Sequence, residues 1–158
     1  MIFLTVGSAL PFDRLVQMVD GVLPSLQLHE PVFAQIGRGR YRPKHFEYVD
    51  FLPKTEFDKA FDEASLVISH AGIGTIGIAL RTGKPILVMP RQEAFGELVD
   101  DHQMLTANKF EALGHVLAFS TPGEFTAKMS MLREFSPKAR HANVEGISSA
   151  VEDFLARV

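Results

Sequence analysis

Cysteine is absent from the 158 residues. That excludes a disulfide scaffold, a thiol nucleophile and a Cys-ligated zinc site, and it fits a reducing compartment. No stretch approaches the roughly 20 apolar residues that span a bilayer. The opening Met1-Ile2-Phe3-Leu4-Thr5-Val6-Gly7 lacks the basic flank of a signal peptide and reads as a strand. The expected location is therefore the cytoplasm, from which a membrane-bound partner could still recruit the chain. An excess of positive charge is missing too: 16 basic residues face 19 acidic ones, a net charge of −3 with His neutral. No global field draws such a chain to nucleic acid. Apolar residues at 46% and charged ones at 22% exclude disorder and low complexity. A chain of this length buries roughly two-thirds of its unfolded surface in one core, so one domain over 1–158 is expected.

What is present is an alternation of apolar strands and amphipathic helices. Residues 2–6 are β-rich and stop at Gly7-Ser8. Phe12, Leu15, Val16, Val19, Leu23 and Leu26 recur at helical spacing, with Pro11 near the first turn. Short apolar runs follow at 32–36 and 46–52. Thr55-Glu56-Phe57-Asp58 has the form of a capping box ahead of the stripe Phe57, Ala60, Phe61 and Ala64. A strand at 66–69 leads through a glycine-rich turn into a helix that ends around Gly83. Residues 85–89 and 114–119 read as strands, and 97–113 as a long helix between them. Thr121-Pro122-Gly123-Glu124 opens another helix. Val144, Ile147, Val151, Phe154, Leu155 and Val158 mark a terminal one. Several strands are apolar throughout, which predicts a doubly wound, mostly parallel, Rossmann-like α/β sheet covered on both faces.

Ligands of open α/β sheets bind outside the carboxyl ends of the strands. Two glycine turns fall there: Gly7-Ser8, and Ser69-His70-Ala71-Gly72-Ile73-Gly74-Thr75. Glycine lets the backbone approach a ligand, and the following helix presents unpaired N–H groups and a positive dipole end, a natural seat for phosphate. A tight strand–helix turn without a ligand accounts for the same glycines. Gly72, Gly74 and Gly77 also satisfy G-x-G-x-x-G, with Glu93 near the spacing of a ribose-binding acid. The motif follows the fourth strand, however, and Glu93 lies past the strand end, so a dinucleotide-binding oxidoreductase is the weaker reading. In 97–103, Asp100 and Asp101 suit a helix start, while His102 and Gln103 carry groups that read sugar hydroxyls. Capping and solubility are the plainer explanation. The loop 38–45 holds Arg38, Arg40, Arg42, Lys44 and His45. It reads either as a solvated loop or as a contact for nucleotide phosphates or anionic headgroups.

Taken in order, Met1 to Gly7, the turn from Ser69 to Thr75, Gly83-Lys84-Pro85 and Asp101-His102-Gln103 resemble the C-terminal domain of family 28 glycosyltransferases. The likeness runs from 1 to about 119. It is strongest to small stand-alone members: the catalytic subunit of the dolichol-linked N-acetylglucosaminyltransferase and bacterial exopolysaccharide counterparts. The resemblance implies the donor-binding half of a GT-B enzyme, which transfers a sugar from a UDP-sugar to a lipid-linked glycan acceptor. A separate membrane-associated chain would supply the acceptor site, and the hexosyltransferase would work only with it. Carried over by position, Gly7 and Ser8 would lie near the diphosphate, and His70 with Gly72, Ile73, Gly74 and Thr75 would hold it. The backbone around Phe51 and Leu52 would meet the uracil, and Asp101, His102 and Gln103 the donor sugar. His70 and His102 are the candidate catalytic side chains. The acceptor's proton would go to the partner chain, to His102 or to Asp101. Neither a metal nor another cofactor is implied. Many relatives bind ribose with a Glu where this chain has Ile78, a departure that points towards the exopolysaccharide branch. A non-catalytic nucleotide-sugar-binding subunit is the alternative, and a homo-dimer of the isolated chain is left open.

Overall fold

The computed structural model describes residues 1–132 and 134–138. Its strands are β1 (Ile2–Thr5), β2 (Val32–Gln35), β3 (Glu47–Val49), β4 (Leu66–His70), β5 (Ile86–Met89) and β6 (Leu117–Ala118). They form one sheet in the order β3-β2-β1-β4-β5-β6, and every neighbouring pair is parallel. Helices α1 (Asp13–Val22) and α5 (Pro122–Leu132) cover one face, with Leu15, Val16, Phe125 and Leu132 packed on Leu4, Ile68 and Leu87. Helices α2 (Lys54–Glu63), α3 (Ile73–Thr82) and α4 (His102–Ala112) cover the other, where Phe61, Ile76 and Ala107 meet Phe3, Val67 and Val88. With apolar layers on both sides, β1, β4 and β5 bury successive residues instead of alternating. The doubly wound architecture expected from the sequence is thus the observed one.

Local chemistry explains most boundaries. Gly83 ends α3 in the left-handed conformation (φ +65°), and its amide bonds back to Ala79 and Leu80. At α5 the capping box forms as its residues suggest: Glu124 N donates to Thr121 Oγ1 at 3.2 Å, and Glu124 Oε2 accepts from Ser120 N at 2.7 Å. The box expected at Thr55 does not form, because the chain is already helical at Lys54 with Pro53 as its cap and no side-chain bond. Helix α4 begins at His102 rather than at 97, with a short 3-10 turn at Glu93–Phe95 ahead of it. Glu97 is drawn away from a helix, pairing through both oxygens with Arg14 at 2.7 Å each and accepting from Gln92 N at 2.9 Å. The expected strand at 114–119 narrows to Leu117–Ala118. The terminal helix expected at 144–158 lies outside the described residues.

The connection from β2 to β3 carries no helix. It crosses as an irregular strap fastened to α1 by Asp20, a buried carboxylate. Asp20 accepts from Tyr41 Oη at 2.6 Å and from the amides of His45 at 2.8 Å and Lys44 at 3.0 Å. Burial alone would raise the Asp20 pKa, but the Tyr41 hydroxyl and the two amides outweigh it and hold the group below the ordinary carboxylate value. Asp20→Ala should therefore cost about 3 kcal/mol in urea unfolding, since three donors lose their acceptor. Because the folded pKa is lowered, that difference should be full at neutral pH and shrink as pH falls through the carboxylate range. A loss under about 0.5 kcal/mol would mean that the strap does not depend on Asp20.

Candidate functional site

From β1 the chain winds outwards to β2 and β3, and it returns through α2 to β4 on the other side of β1. The switch point therefore lies between the carboxyl ends of β1 and β4, where Thr5 stands level with Ser69. Both glycine turns meet there. Gly7 has φ +79°, a left-handed conformation, and its amide donates to Thr5 Oγ1 at 3.1 Å. The imidazole of His70 packs on both turns: a Cβ added to Gly7 would lie 2.8 Å from its Cε1, and one added to Gly72 would lie 2.2 Å from its Nε2. Gly72 has ordinary angles (φ −83°, ψ 132°), so the ring's approach, not the backbone conformation, demands glycine. At Gly74 a Cβ would meet nothing within 4 Å. Helix α3 starts with no side-chain cap, so the amides of its first turn lack the intrahelical acceptors that later ones have.

Ser69 Oγ donates to the Thr5 carbonyl at 2.8 Å and stands 3.1 Å from His70 Nδ1. We infer from the single hydroxyl proton that Nδ1 carries the imidazole proton, which leaves the lone pair on Nε2 beside Gly72. Burial, and then the nearby Arg91 charge, push the His70 pKa down from 6.5 to about 4, against a bond with the Thr5 carbonyl. His70 is thus neutral at physiological pH.

Arg91 is the group that sequence reasoning missed. It is 3% exposed, its Nη2 donates to the carbonyls of Val6 at 3.0 Å and Leu10 at 2.7 Å, and its guanidinium lies 4.8 Å from the Phe12 ring centre. Its Nε is buried without a partner among the described residues. Burial lowers its pKa to about 10, opposed by the charge of Glu97. Glu97 is already bound to Arg14, so this cluster of two arginines and one carboxylate keeps a net positive charge beside the turn 7–10. A lone arginine directly after a strand-ending proline was the available signal. Gln35 was likewise missed, although it is the polar residue of an apolar strand. Buried, it donates to Gly7 O at 3.3 Å and accepts the Leu52 amide at 2.9 Å, which ties the ends of β1 and β3 together.

The remaining candidates divide into two clefts and two anchors. Ser8 and Phe51 line a cleft of about 260 Å³ with Gly37 and Arg38, whose guanidinium lies 5.7 Å from the Phe51 ring centre. Leu52 sits just outside it with its amide committed to Gln35. Gly72, Ile73 and His102 line a second cleft of about 310 Å³ with Leu105 and Lys109. His102 is exposed there, and its Nδ1 is bound to Asp100. Thr75 is buried in the first turn of α3. The two anchors are Asp101, whose Oδ1 accepts from Glu93 N at 2.8 Å, and Gln103, buried with its Oε1 on Arg91 N at 3.1 Å. Ile78 packs against the α2–α3–α4 face. Among the described residues no three His, Asp or Glu side chains converge as metal ligands, and no helix is long and apolar enough to cross a membrane.

Comparison with known proteins adds to this geometry. The family model of the glycosyltransferase family 28 C-terminal domain matches residues 1–158. The UDP-N-acetylglucosamine transferase subunit ALG13 of Mus musculus is 34% identical over 124 residues, covering 72% of this chain and 10% of that protein. This chain thus spans about a tenth of the mouse protein's length. ALG13 of Yarrowia lipolytica is 30% identical over 154 residues, covering 85% of this chain and 74% of its own. MurG of Acinetobacter baumannii shares the fold, with a TM-score of 0.65 at 22% identity, over 85% of this chain and 42% of MurG.

The buried neutral His70 makes a pH prediction. Its folded pKa lies below the unfolded one, so the unfolded state binds the extra proton and stability falls as pH drops from 6.5 through about 4. The full drop corresponds to roughly 3 kcal/mol for this group. Urea unfolding of the wild type and His70→Asn at several pH values should show that difference between their pH profiles. Parallel profiles would mean that His70 keeps its ordinary pKa.

Proposed function

Because this chain belongs to the glycosyltransferase family 28 C-terminal domain family, we propose that it is the donor-binding half of a two-chain transferase that takes a hexose from a UDP-sugar. The observation that carries this reading is the uncapped start of α3, open at Gly74, whose Gly72 and Ile73 line the cleft beside His102, with a second cleft at Ser8 and Phe51. The diphosphate lies against the amides of Ile73, Gly74 and Thr75. The nucleoside points to the Ser8–Phe51 cleft, and the sugar to the cleft beside His102. ALG13 of mouse and of Yarrowia lipolytica are named as UDP-N-acetylglucosamine transferase subunits, which supports both the UDP-sugar and the partner chain.

In the reaction, an acceptor hydroxyl oxygen attacks the anomeric carbon, the bond from that carbon to the diphosphate breaks, and UDP leaves with the electron pair. Charge builds on the departing diphosphate, where fixed amides and the helix dipole oppose it without reorganising. The net positive Arg14–Arg91–Glu97 cluster adds to that field. An anion beside His70 Nε2 favours the imidazolium, so His70 gains a proton and a donor when the diphosphate arrives. These groups handle the charge in this reading without a metal. The acceptor's proton passes to His102, whose Nδ1 is engaged by Asp100 and whose other nitrogen is left for the task, or to a base on the partner. The acceptor is a lipid-linked glycan presented by the membrane-associated partner. Ile78, packed against the α2–α3–α4 face, stands where many relatives carry a ribose-binding Glu, and on that departure we propose exopolysaccharide synthesis as the setting.

Calorimetry with UDP, on variants that separate ligand space from packing, tests this reading. Gly74→Leu should fold normally, since its Cβ meets nothing, yet bind UDP at least about tenfold more weakly because the side chain fills the anion seat. Gly72→Ala should instead lose about 1–3 kcal/mol of stability by displacing His70. Undiminished UDP binding by Gly74→Leu, or equal binding of NAD and UDP by the wild type, would contradict the proposal.

A further inference from the structure

Burial along the strap from β2 to β3 alternates. Arg38, Arg40, Arg42 and Lys44 are exposed, whereas Gly39 and Pro43 are buried and Tyr41 is half-buried. The inward residues are fixed. Gly39 packs against the Asp13 carboxylate, Arg40 N donates to Asp13 Oδ2 at 2.9 Å, and Tyr41 Oη is held by Asp20 at 2.6 Å. Asp20 also accepts the amides of Lys44 and His45. Alternate positions on such a chain are at most about 7 Å apart, so the basic residues form a row on a pinned backbone in a protein whose net charge is −3. Arg38 lies over Phe51 at the first cleft, and Arg42 stands 3.6 Å from Asp50. Arg40 and Lys44 have no side-chain partner among the described residues. A solvated loop has no need of a buried carboxylate to hold its backbone, and this one has Asp20.

We propose that the strap 38–45 is a docking surface for an anionic lipid bilayer, so that this chain touches the membrane itself and not only through a partner. Charge complementarity at the outward cations of the strap selects this occupant. A protein partner is met by an apolar centre with a polar rim, and none of the outward residues from 38 to 45 is apolar. Single-stranded nucleic acid is bound by stacking on exposed aromatics, whereas Tyr41 is turned in towards Asp20. A leaflet of anionic headgroups requires only near-surface cations, each of which multiplies partitioning by roughly fivefold. The inference goes beyond the donor-site reading and does not rest on it: Arg38 lines the Ser8–Phe51 cleft, so the test is made at Arg40 and Lys44, which line neither cleft.

Sedimentation with vesicles tests it. The full chain should bind vesicles containing roughly 30% phosphatidylserine in phosphatidylcholine at about 50 mM salt, and release at about 300 mM as screening sets in. Pure phosphatidylcholine should not retain it. Arg40→Glu/Lys44→Glu should lower partitioning at least about tenfold while leaving the circular dichroism spectrum and UDP affinity unchanged. Arg40→Gln/Lys44→Gln should give an intermediate loss. Failure of the wild type to sediment, equal sedimentation of the reversed variant, or binding to soluble polyglutamate in preference to the vesicles would each overturn the proposal, the last in favour of an acidic protein partner. Loss of UDP binding with vesicle binding intact would count against the donor site alone.

Discussion

The imidazole of His70, laid across two backbones that have no Cβ, is the contact on which the site depends. It packs on the turns that follow the paired ends of β1 and β4. Any larger residue at Gly7 or Gly72 would push the ring out, and with it the alignment of the turn that starts α3. The ring is held from its other side by Ser69 and Thr5, so the position of the helix N-terminus relative to β1 follows from one packed cluster. Gly74 is different in kind. It is small where the protein itself leaves room, which is why the two glycines separate packing from binding.

Around that cluster the carboxyl edge is assembled from long-range ties. Arg91 fastens the loop after β1 to the end of β5, Gln35 fastens β1 to the segment after β3, and Arg14 with Glu97 fastens α1 to the loop that precedes α4. Most of these ties are polar groups buried at the edge of an apolar sheet, where an unpaired partner is costly. They leave one positive charge more than they neutralise. A chain that is acidic overall therefore carries a net positive cluster of Arg14, Arg91 and Glu97 beside the turn 7–10, and a second basic row on the strap beside α1.

The parts of this arrangement that were legible in the sequence are the ones encoded locally. Apolar strands interrupted by Gly7, Gly37, Pro53 and Pro90 announced a covered parallel sheet, and the glycines after β4 marked the helix N-terminus. The capping box at Thr121 formed because its two partners lie three residues apart. What stayed hidden depends on partners remote in the chain. Arg91 bonds residues 85 and 81 positions away, and Glu97 bonds Arg14 across 83, so the local signal of an arginine after Pro90 did not reveal its partners, nor could the delayed start of α4 be read from a window. The same holds for Gln103, which looks from its neighbours like a sugar-reading side chain and in the structure braces the Arg91 backbone. Legible as a charge run, the loop at 38–45 gained its order only once Asp20 was seen beneath it.

In the donor-site reading, main-chain amides at the start of α3 form the anion seat. Amide chemical shifts followed by NMR during titration with UDP, pyrophosphate and uridine address it at the level of single residues. UDP and pyrophosphate should move the Ile73, Gly74 and Thr75 amides and raise the His70 pKa from about 4, while uridine should leave all of these in place. Saturating UDP that left the three amides and His70 unperturbed would contradict it.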